Sequence, residues 1–454
     1  MTVANKNVVN TVVKNNLCVG CGMCTYKNED KLEMIWNDEG FLVPQFKINE
    51  NLELENDLEV CPFNPIPEKQ IETENEIADI FLKDTKNHHP KIGRYNNLYV
   101  GYANEFRKTS SSGGIATFVF TALLESGQVD HVISVKESAN NHYEYSISST
   151  VEDLLRSSKT KYYPVTLATI LSEINKLNGK VAVAGVACFI KSLRLAQYHH
   201  PELKEKITFL VGIICGGIKS SFFAEYLASK TGVSKDNFIN PQFRIKDDKS
   251  NASDYSYSCV DKTTKTEKQI KMKTVGDMWG TGLFKANACD FCDDVTTELA
   301  DISLGDAWLQ PYVNDGKGTS VVVTRSKISD DLIQQAIQKN EVRLENLSLE
   351  KFLDSQRGSF NHRQIALPYR INVAKKKGQL VPPKRFITNK KLPVYLKIIQ
   401  VLRMKTRAKS LAVWKDQPNA TSFDEQMFKS LRNLKIMTKV NHKGRAIFNK
   451  LINK

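Results

Sequence analysis

Cys18-Val19-Gly20-Cys21-Gly22-Met23-Cys24 is the stretch around which the rest of the chain is organised, and Cys61-Pro62 completes it. A tight loop that supplies three thiols, with a fourth thiol from a distant segment, is the ligand pattern of a [4Fe-4S] cluster. Gly20 and Gly22 let the backbone curl so that amide groups face sulfur. A zinc knuckle is the alternative, although zinc sites more often use two C-x2-C pairs or histidine. The sequence therefore predicts a first cluster bound by Cys18, Cys21, Cys24 and Cys61.

A second set of four cysteines lies further along the chain. Cys188 and Cys215 end predicted buried strands, and Cys289 and Cys292 form a C-x2-C pair. Because the carboxyl ends of parallel strands share one edge of a sheet, Cys188 and Cys215 are able to meet there. Four thiolates would complete a second [4Fe-4S] site, but buried structural cysteines or a zinc site are equally open on spacing alone.

A run of small residues precedes a predicted helix over 115–124. The run is Ser110-Ser111-Ser112-Gly113-Gly114. Successive backbone N–H groups at a helix N-terminus bind phosphate, and the missing side chains of Gly113 and Gly114 would let a pyrophosphate approach. The alternative is a serine N-cap, because the run lacks the lysine of a P-loop and the spacing of a Rossmann fingerprint. Four cations are candidate partners for an anionic cofactor or substrate: Arg107, Lys161, Arg244 and Lys246.

The order of apolar segments predicts an α+β chain whose central part alternates strands with helices. The predicted units are an N-terminal ferredoxin-like [4Fe-4S] unit, a connecting arm, a central α/β domain and a basic helical tail. Their predicted bounds are 1–75, 76–97, 98–345 and 346–454. Hydrophobic residues make up 41% of the 454, an ordinary proportion for a globular protein.

The charge is concentrated in the tail. The net charge is +14, yet residues 361–454 alone carry +20, which leaves −6 for the rest. Within the tail, the segment 393–414 mixes apolar and basic residues in the manner of an amphipathic helix on an anionic membrane surface. A basic helix docked on the main body is the alternative, and no recognised fold or aromatic pattern supports nucleic acid. The chain shows no apolar run long enough to span a membrane and no secretory signal, which predicts cysteines kept reduced in the cytoplasm.

Taken together, these motifs resemble the coenzyme F420 hydrogenase/dehydrogenase beta-subunit family, in a branch like the bacterial polysaccharide-cluster proteins. The resemblance covers roughly residues 15–330. It rests on the cysteine pattern, the Ser-Gly run and four further motifs: Gly185-Val186-Ala187-Cys188, Ile214-Cys215-Gly216-Gly217, Phe243-Arg244-Ile245-Lys246 and Ala300-Asp301-Ile302-Ser303-Leu304-Gly305-Asp306-Ala307-Trp308. Ala187 stands where the family usually has proline.

The resemblance implies an iron-sulfur flavoprotein with two [4Fe-4S] clusters and FAD in the central domain. It assigns Ser110, Ser111, Ser112, Gly113 and Gly114 to the FAD pyrophosphate loop. Thr160-Lys161-Tyr162 matches a Ser-Lys-Tyr element near the flavin, with threonine in place of serine. Lys161 and Arg107 are then expected to stabilise negative charge on the reduced flavin or the phosphates.

The function expected from this resemblance is electron relay through the clusters to FAD, followed by hydride transfer to an organic substrate. That substrate would be F420-like or a polysaccharide-pathway compound. Ferredoxin or another one-electron donor is the expected partner. The alternative is a non-catalytic, membrane-associated electron-transfer or redox-sensing protein. The expected location is the cytoplasm, with the tail able to place the protein at the inner face of the membrane.

Overall fold

The structure, a computed structural model, describes residues 6–48, 53–138, 143–387 and 392–452, and the side chains up to residue 441. The predicted units of 1–75, 98–345 and 346–454 thus extend over short stretches outside the described residues. The strands are β1 Leu32–Trp36, β2 Leu42–Phe46, β3 Asn87–His89, β4 Gly93–Tyr95, β5 Asn97–Ala103, β6 His131–Glu137, β7 Tyr143–Ser148, β8 Val181–Val186, β9 Ile207–Ile213, β10 Phe238–Ile245, β11 Ser256–Asp261, β12 Glu267–Lys271, β13 Ile302–Asp306, β14 Ser320–Thr324 and β15 Val342–Asn346.

The α-helices lie between and after these strands. They are α1 Glu74–Phe81, α2 Ile115–Glu125, α3 Val151–Leu155, α4 Ala168–Ile174, α5 Ala187–His199, α6 Pro201–Lys206, α7 Phe222–Lys230, α8 Met272–Val275, α9 Lys327–Gln338, α10 Leu349–Ser355, α11 Arg357–Phe360, α12 Leu367–Lys376, α13 Val394–Asp416 and α14 Ala420–Ile452. No helix within the described ranges combines the length and the apolar character needed to cross a bilayer.

A mixed sheet of eight strands forms the centre of the protein, in the order β15-β5-β14-β13-β9-β8-β6-β7. Its middle strands, β13, β9, β8 and β6, run parallel to one another, and the outer pairs are antiparallel. The apolar runs of β8 and β9 are buried because helices cover both faces of the sheet at this point. The mixed α/β class is therefore confirmed, whereas the ferredoxin-like and flavin-domain layout stays a prediction.

The parallel strands position the second cysteine set. Cys188 follows β8 directly as the second residue of α5, and Cys215 lies just after β9. Because β8 and β9 are adjacent and parallel, their carboxyl ends lie at the same sheet edge. The pairing of β8 with β9 therefore brings the loop of Cys188 and the loop of Cys215 to the same edge of the sheet, as expected.

The N-terminal cysteine loop packs directly on the central body. Met23 is fully buried in the same core as α5, and the Leu167 amide donates to the Cys21 carbonyl oxygen at 2.9 Å. The segment expected to be a polar connecting arm is also ordered against this core. It holds the end of α1 and the hairpin β3–β4, and Ile77 of α1 is fully buried.

The tail forms a helical hairpin, α13 and α14, that packs on α7. Trp414 is fully buried, with its Nε1 donating to Glu225 Oε2 at 2.9 Å. Leu411 and Val413 are buried in the same core. The predicted helix is present, but these apolar side chains face the protein, as in the docked-helix alternative.

Candidate functional site

The first cysteine loop has the backbone conformation that its glycines suggested. Gly20 and Gly22 have φ angles of +75° and +80°, and a Cβ on Gly22 would lie 2.1 Å from Thr166 Oγ1. The Gly20 amide points at sulfur, with its nitrogen 3.4 Å from Cys18 Sγ. These positions therefore require glycine for both conformation and space.

The four thiols of the first set converge. Cys24 is buried, and its pKa is raised by desolvation and then by the charges of Cys21, Cys18 and Cys61. Burial likewise raises the pKa of Cys18 to about 12. Thiols that disfavour each other's ionisation in a dry site fit a cationic metal-sulfur core, which would stabilise all four thiolates at once.

The second set converges in the same way. Burial raises the pKa of Cys188, and the charges of Cys289, Cys215 and Cys292 raise it further. Backbone amides again face sulfur, with Gly217 N 3.2 Å from Cys215 Sγ and Ile218 N 3.2 Å from Cys289 Sγ. Cys188 also lies within electrostatic range of Cys21, so the two sets are neighbours.

No group of three or more His, Cys, Asp or Glu side chains that could hold a metal ion occurs within the described ranges. The ninth cysteine, Cys259, is buried on β11 in the core and belongs to neither set.

A cavity of about 890 Å³ lies beside the Ser-Gly run, a volume in the range of cofactor pockets. Its lining includes Ser110, Ser111, Ser112, Gly114, Thr160 and Lys161. The N-terminus of α2 opens onto the cavity through Ile115 and Ala116 and has no side-chain cap. The serine N-cap alternative is therefore not what the chain adopts, and the first residues of α2 form part of the cavity wall.

The loop is fixed by the protein around it. Lys246 Nζ donates to the Ser112 carbonyl at 2.6 Å, and Ser111 Oγ accepts from the Thr160 amide at 2.9 Å. Gly113 is absent from the cavity wall, and a Cβ there would lie 2.7 Å from the Gly101 oxygen. The Gly113 amide also donates to Ser320 Oγ at 3.1 Å. Close packing therefore also requires glycine at position 113, and its assignment to a pyrophosphate loop stays a prediction.

Two of the four predicted cations, Lys161 and Arg107, occupy different places. Lys161 lines the cavity, its Nζ donates to the Ser158 oxygen at 2.8 Å, and burial lowers its pKa to about 7. Arg107 lies outside the cavity wall and is held by Asp315 at 2.7 Å and by the Gly318 oxygen at 2.9 Å. Lys161 and the Ser-Gly run thus share the cavity wall, whereas Arg107 lies beside the run, with its backbone nitrogen 2.9 Å from the Cβ position of Gly114, and outside that wall.

Other charged groups complete the cavity. Arg244 makes a two-pronged ion pair with Asp306, while its buried Nε has no hydrogen-bond partner within the described residues. Lys219, which sequence reasoning missed, donates to the oxygens of Met278 and Leu283 at 2.7 and 2.6 Å, and burial lowers its pKa to about 7. Its position four residues after Cys215 was the only available signal.

An aromatic wall was also missed. Trp279 lines the cavity 4.7 Å from the Tyr162 ring, and Lys219 Nζ lies 4.6 Å from the centre of the Trp279 ring. Val19 and Gly20 of the first cysteine loop and Cys215 of the second set reach the same cavity. One cavity therefore touches both cysteine sets and the Ser-Gly run.

The fold and this site define a mixed α/β protein in which two buried cysteine sets adjoin a cofactor-sized cavity. Two family models match the chain. The model of the coenzyme F420 hydrogenase/dehydrogenase beta subunit N-terminus matches residues 98–172, and that of its C-terminus matches residues 178–350. Together they cover just over half of the chain, which belongs to this family.

Curated relatives agree at low identity. The chain is 22% identical over 220 residues to a component of the F(420)H(2) dehydrogenase of Methanosarcina mazei, a match covering 47% of this chain and 59% of that protein. It is 25% identical over 262 residues to a coenzyme F420 hydrogenase beta subunit of Methanosarcina barkeri, covering 55% and 81%. It is 26% identical to the coenzyme F420-dependent sulfite reductase of Methanocaldococcus jannaschii, covering 52% of this chain but only 36% of that protein.

A solved structure shares the fold. A chain in the F420-reducing [NiFe] hydrogenase complex from Methanosarcina barkeri has a TM-score of 0.50 and 21% identity, covering 66% of this chain and 99% of that chain. At that identity the likeness concerns the fold alone.

Proposed function

We propose that the protein is an iron-sulfur flavoprotein oxidoreductase that passes electrons from a one-electron donor to a small organic substrate. The observation that carries this proposal is the single cavity shared by the first cysteine loop, Cys215 and the Ser-Gly run. A relay needs its centres close together, and Cys188 and Cys21 lie within electrostatic range of each other. The names of the three relatives described above, a coenzyme F420 hydrogenase, an F(420)H(2) dehydrogenase and a coenzyme F420-dependent sulfite reductase, support an oxidoreductase role.

The residues fit two [4Fe-4S] clusters and FAD. When bound, the clusters would carry single electrons and FAD would convert pairs of electrons into hydride transfer. Cys18, Cys21, Cys24 and Cys61 would hold one cluster, and Cys188, Cys215, Cys289 and Cys292 the other. The amides at the start of α2 and the hydroxyls of Ser110, Ser111 and Ser112 would receive the pyrophosphate.

The cavity's own charges suit an anionic ligand. Lys161 and Lys219 lie at its wall with their ammonium groups in reach of carbonyl oxygens, which orient them. Arg244 is held rigid by Asp306 and adds a fixed positive group. Trp279 and Tyr162 offer aromatic faces to a planar ring. The substrate proposed here is thus an F420-like or polysaccharide-pathway compound with a planar or anionic part, and the donor is ferredoxin or another partner protein.

Anaerobic purification with iron, sulfide and flavin quantified tests the proposal. About eight irons and one FAD per chain are expected, because two cubane clusters need eight irons. About four irons without flavin would replace the proposal by the non-catalytic electron-transfer alternative. Zinc without iron would refute the interpretation of both cysteine sets.

The tail carries a separate proposal, contact with an anionic membrane at the inner face. Although Trp414 is buried, Val394 and Phe428 are 70% and 63% exposed on helices rich in lysine and arginine. The full chain is expected to sediment with anionic vesicles and not with neutral vesicles at moderate salt. Val394→Asp combined with Phe428→Asp should weaken this binding. Equal sedimentation of the double variant and the wild type would refute a role for these two side chains in membrane binding.

A further inference from the structure

The chain after residue 350, which lies beyond both family matches, covers the second cysteine set with cations. We call residues 351–454 the C-terminal segment. Six cations of this segment contact the loop 289–298 or lie within electrostatic range of its acidic groups. They are Arg363, Arg370, Lys384, Arg385, Arg403 and Arg407. The family matches end at residue 350, so these cations lie outside the matched residues.

Arg363 makes the most direct contact with the thiols. It is 5% exposed, and its Nη1 lies 3.4 Å from Cys292 Sγ and 2.7 Å from the Asp294 carbonyl oxygen. Its Nη2 donates to the carbonyl oxygen of Cys215. One guanidinium group therefore bridges the two loops that hold Cys215 and Cys292.

Further positive groups of the protein surround the neighbouring residue His362. Arg370 and Arg403 approach the ring of His362, and buried Arg370 Nη2 and Arg403 Nε have no hydrogen-bond partner within the described residues. Lys285 joins the group at 3.3 Å from His362 Nε2.

Carboxylates partly offset these cations. Asp290 pairs with Lys285 at 2.8 Å and with Arg407 at 3.1 Å. Asp293 pairs with Lys384 at 3.2 Å, and Asp294 lies within electrostatic range of Cys292. No ion pair within the described residues joins Arg363 to any of these carboxylates, although the Asp294 carboxylate lies within electrostatic range of its guanidinium group, as do the Cys292, Cys215 and Cys289 thiols.

We infer that the C-terminal segment tunes the second cluster, with Arg363 as a positioning residue that makes the cluster easier to reduce. This inference rests on the proposed function, because it needs a cluster on the second set. Reduction adds one negative charge to a centre already bound by four thiolates. A buried cation beside the Cys292 thiolate stabilises the reduced form more than the oxidised form, since the low dielectric strengthens their attraction.

A redox titration of the purified holoprotein, followed by the EPR signal of the reduced clusters, tests the inference. Cys289→Ser first assigns which signal belongs to the second set. Arg363→Gln should keep its iron and lower the midpoint potential of that signal by about 59 mV or more. This shift corresponds to at least a tenfold change in the ratio of reduced to oxidised cluster for one electron. The signal of the first cluster should not move.

Arg357→Gln is the matched control, because Arg357 belongs to the neighbouring α11, is largely exposed and pairs only with Asp354 in the described structure. It should leave both potentials unchanged. A fully loaded Arg363→Gln protein with an unmoved second potential would overturn the inference. A wild-type protein with about four irons would instead refute the second cluster itself, before any variant is titrated.

If Arg363→Gln loses the iron of the second set, Arg363→Lys decides, because lysine keeps the charge but not the fork of donors. A loaded lysine variant with a potential near that of the wild type supports tuning by charge. A loss of iron in both variants would make Arg363 a structural residue only and would overturn the inference.

Discussion

Replacing Trp414 by alanine should release the helical tail from the body. The indole is fully buried between the Phe284, Phe423 and Tyr226 rings, at centroid distances of 6.0, 5.7 and 5.6 Å. Its Nε1 also donates to Glu225 at 2.9 Å. The substitution removes one of the largest packed side chains at the interface between α13 and α7.

The expected cost is large. Replacing a buried tryptophan by alanine costs about 3–5 kcal/mol through lost packing and the cavity left behind. Depriving Glu225 of a hydrogen-bond donor adds about 1 kcal/mol. A total of about 5 kcal/mol corresponds to roughly three orders of magnitude in the equilibrium between the docked and released tail.

Hydrogen–deuterium exchange of the α13 amides measures that equilibrium region by region. In Trp414→Ala, the slowest α13 amides should exchange about a thousandfold faster, up to the limit set by the unprotected rate. Phe428→Ala, on the exposed side of α14, should change them less than threefold. If α13 exchanged fast in the wild type, or if Trp414→Ala left its rates unchanged, the docked tail would be refuted.

The cysteines, the Ser-Gly run and the buried lysines each provide a further test. Cys289→Ser should lower the iron content from about eight to about four per chain, as one cubane is lost, whereas Cys259→Ser should not change it; equal iron in both would contradict the second set. Gly114→Ala should cut flavin content severely, because its Cβ would lie 2.6 Å from the Phe106 backbone. The control Gly127→Ala, also at positive φ but with open space around it, should retain flavin. Equal flavin content in the two variants would argue against flavin binding by the Ser-Gly run. Burial lowers the pKa of Lys161 to about 7, and an unfolded lysine stays protonated to about 10.4. The unfolded state thus binds more protons than the folded state between these pH values, so the free energy of unfolding should rise with pH across that window. The urea midpoint should therefore rise less between pH 7 and pH 9 in Lys161→Met than in the wild type. An identical rise in both proteins would contradict a lowered pKa of Lys161.

The parts of the fold that were predicted well depend on patterns within a short stretch of sequence. The apolar runs of β8 and β9 are buried along almost their whole length, as the prediction of buried strands before Cys188 and Cys215 requires. The convergence of Cys188 and Cys215 followed from one rule, that parallel strands end at one sheet edge. The loop glycines Gly20 and Gly22 were predicted from their spacing between cysteines.

The parts that sequence reasoning missed depend on distant partners. Arg107 adjoins the Ser-Gly run in sequence, and its pairing with Asp315, 208 residues away, has no local signal. Trp414 has the same amphipathic setting whether it meets lipid or protein, and its partner Glu225 lies 189 residues away. Lys219 resembles a solvated lysine until Met278 and Leu283 are seen to enclose it. No local pattern contains these pairings.

The arrangement of Arg363 over Cys292 sets an order of events during synthesis. The thiol emerges from the ribosome 71 residues before the guanidinium group that covers it. At about 5–20 residues per second, this interval lasts about 4–14 seconds. During that interval all four cysteines of the second set have been synthesised, whereas Arg363 has not. Any group bound by these thiols before Arg363 emerges is bound without the guanidinium group over Cys292.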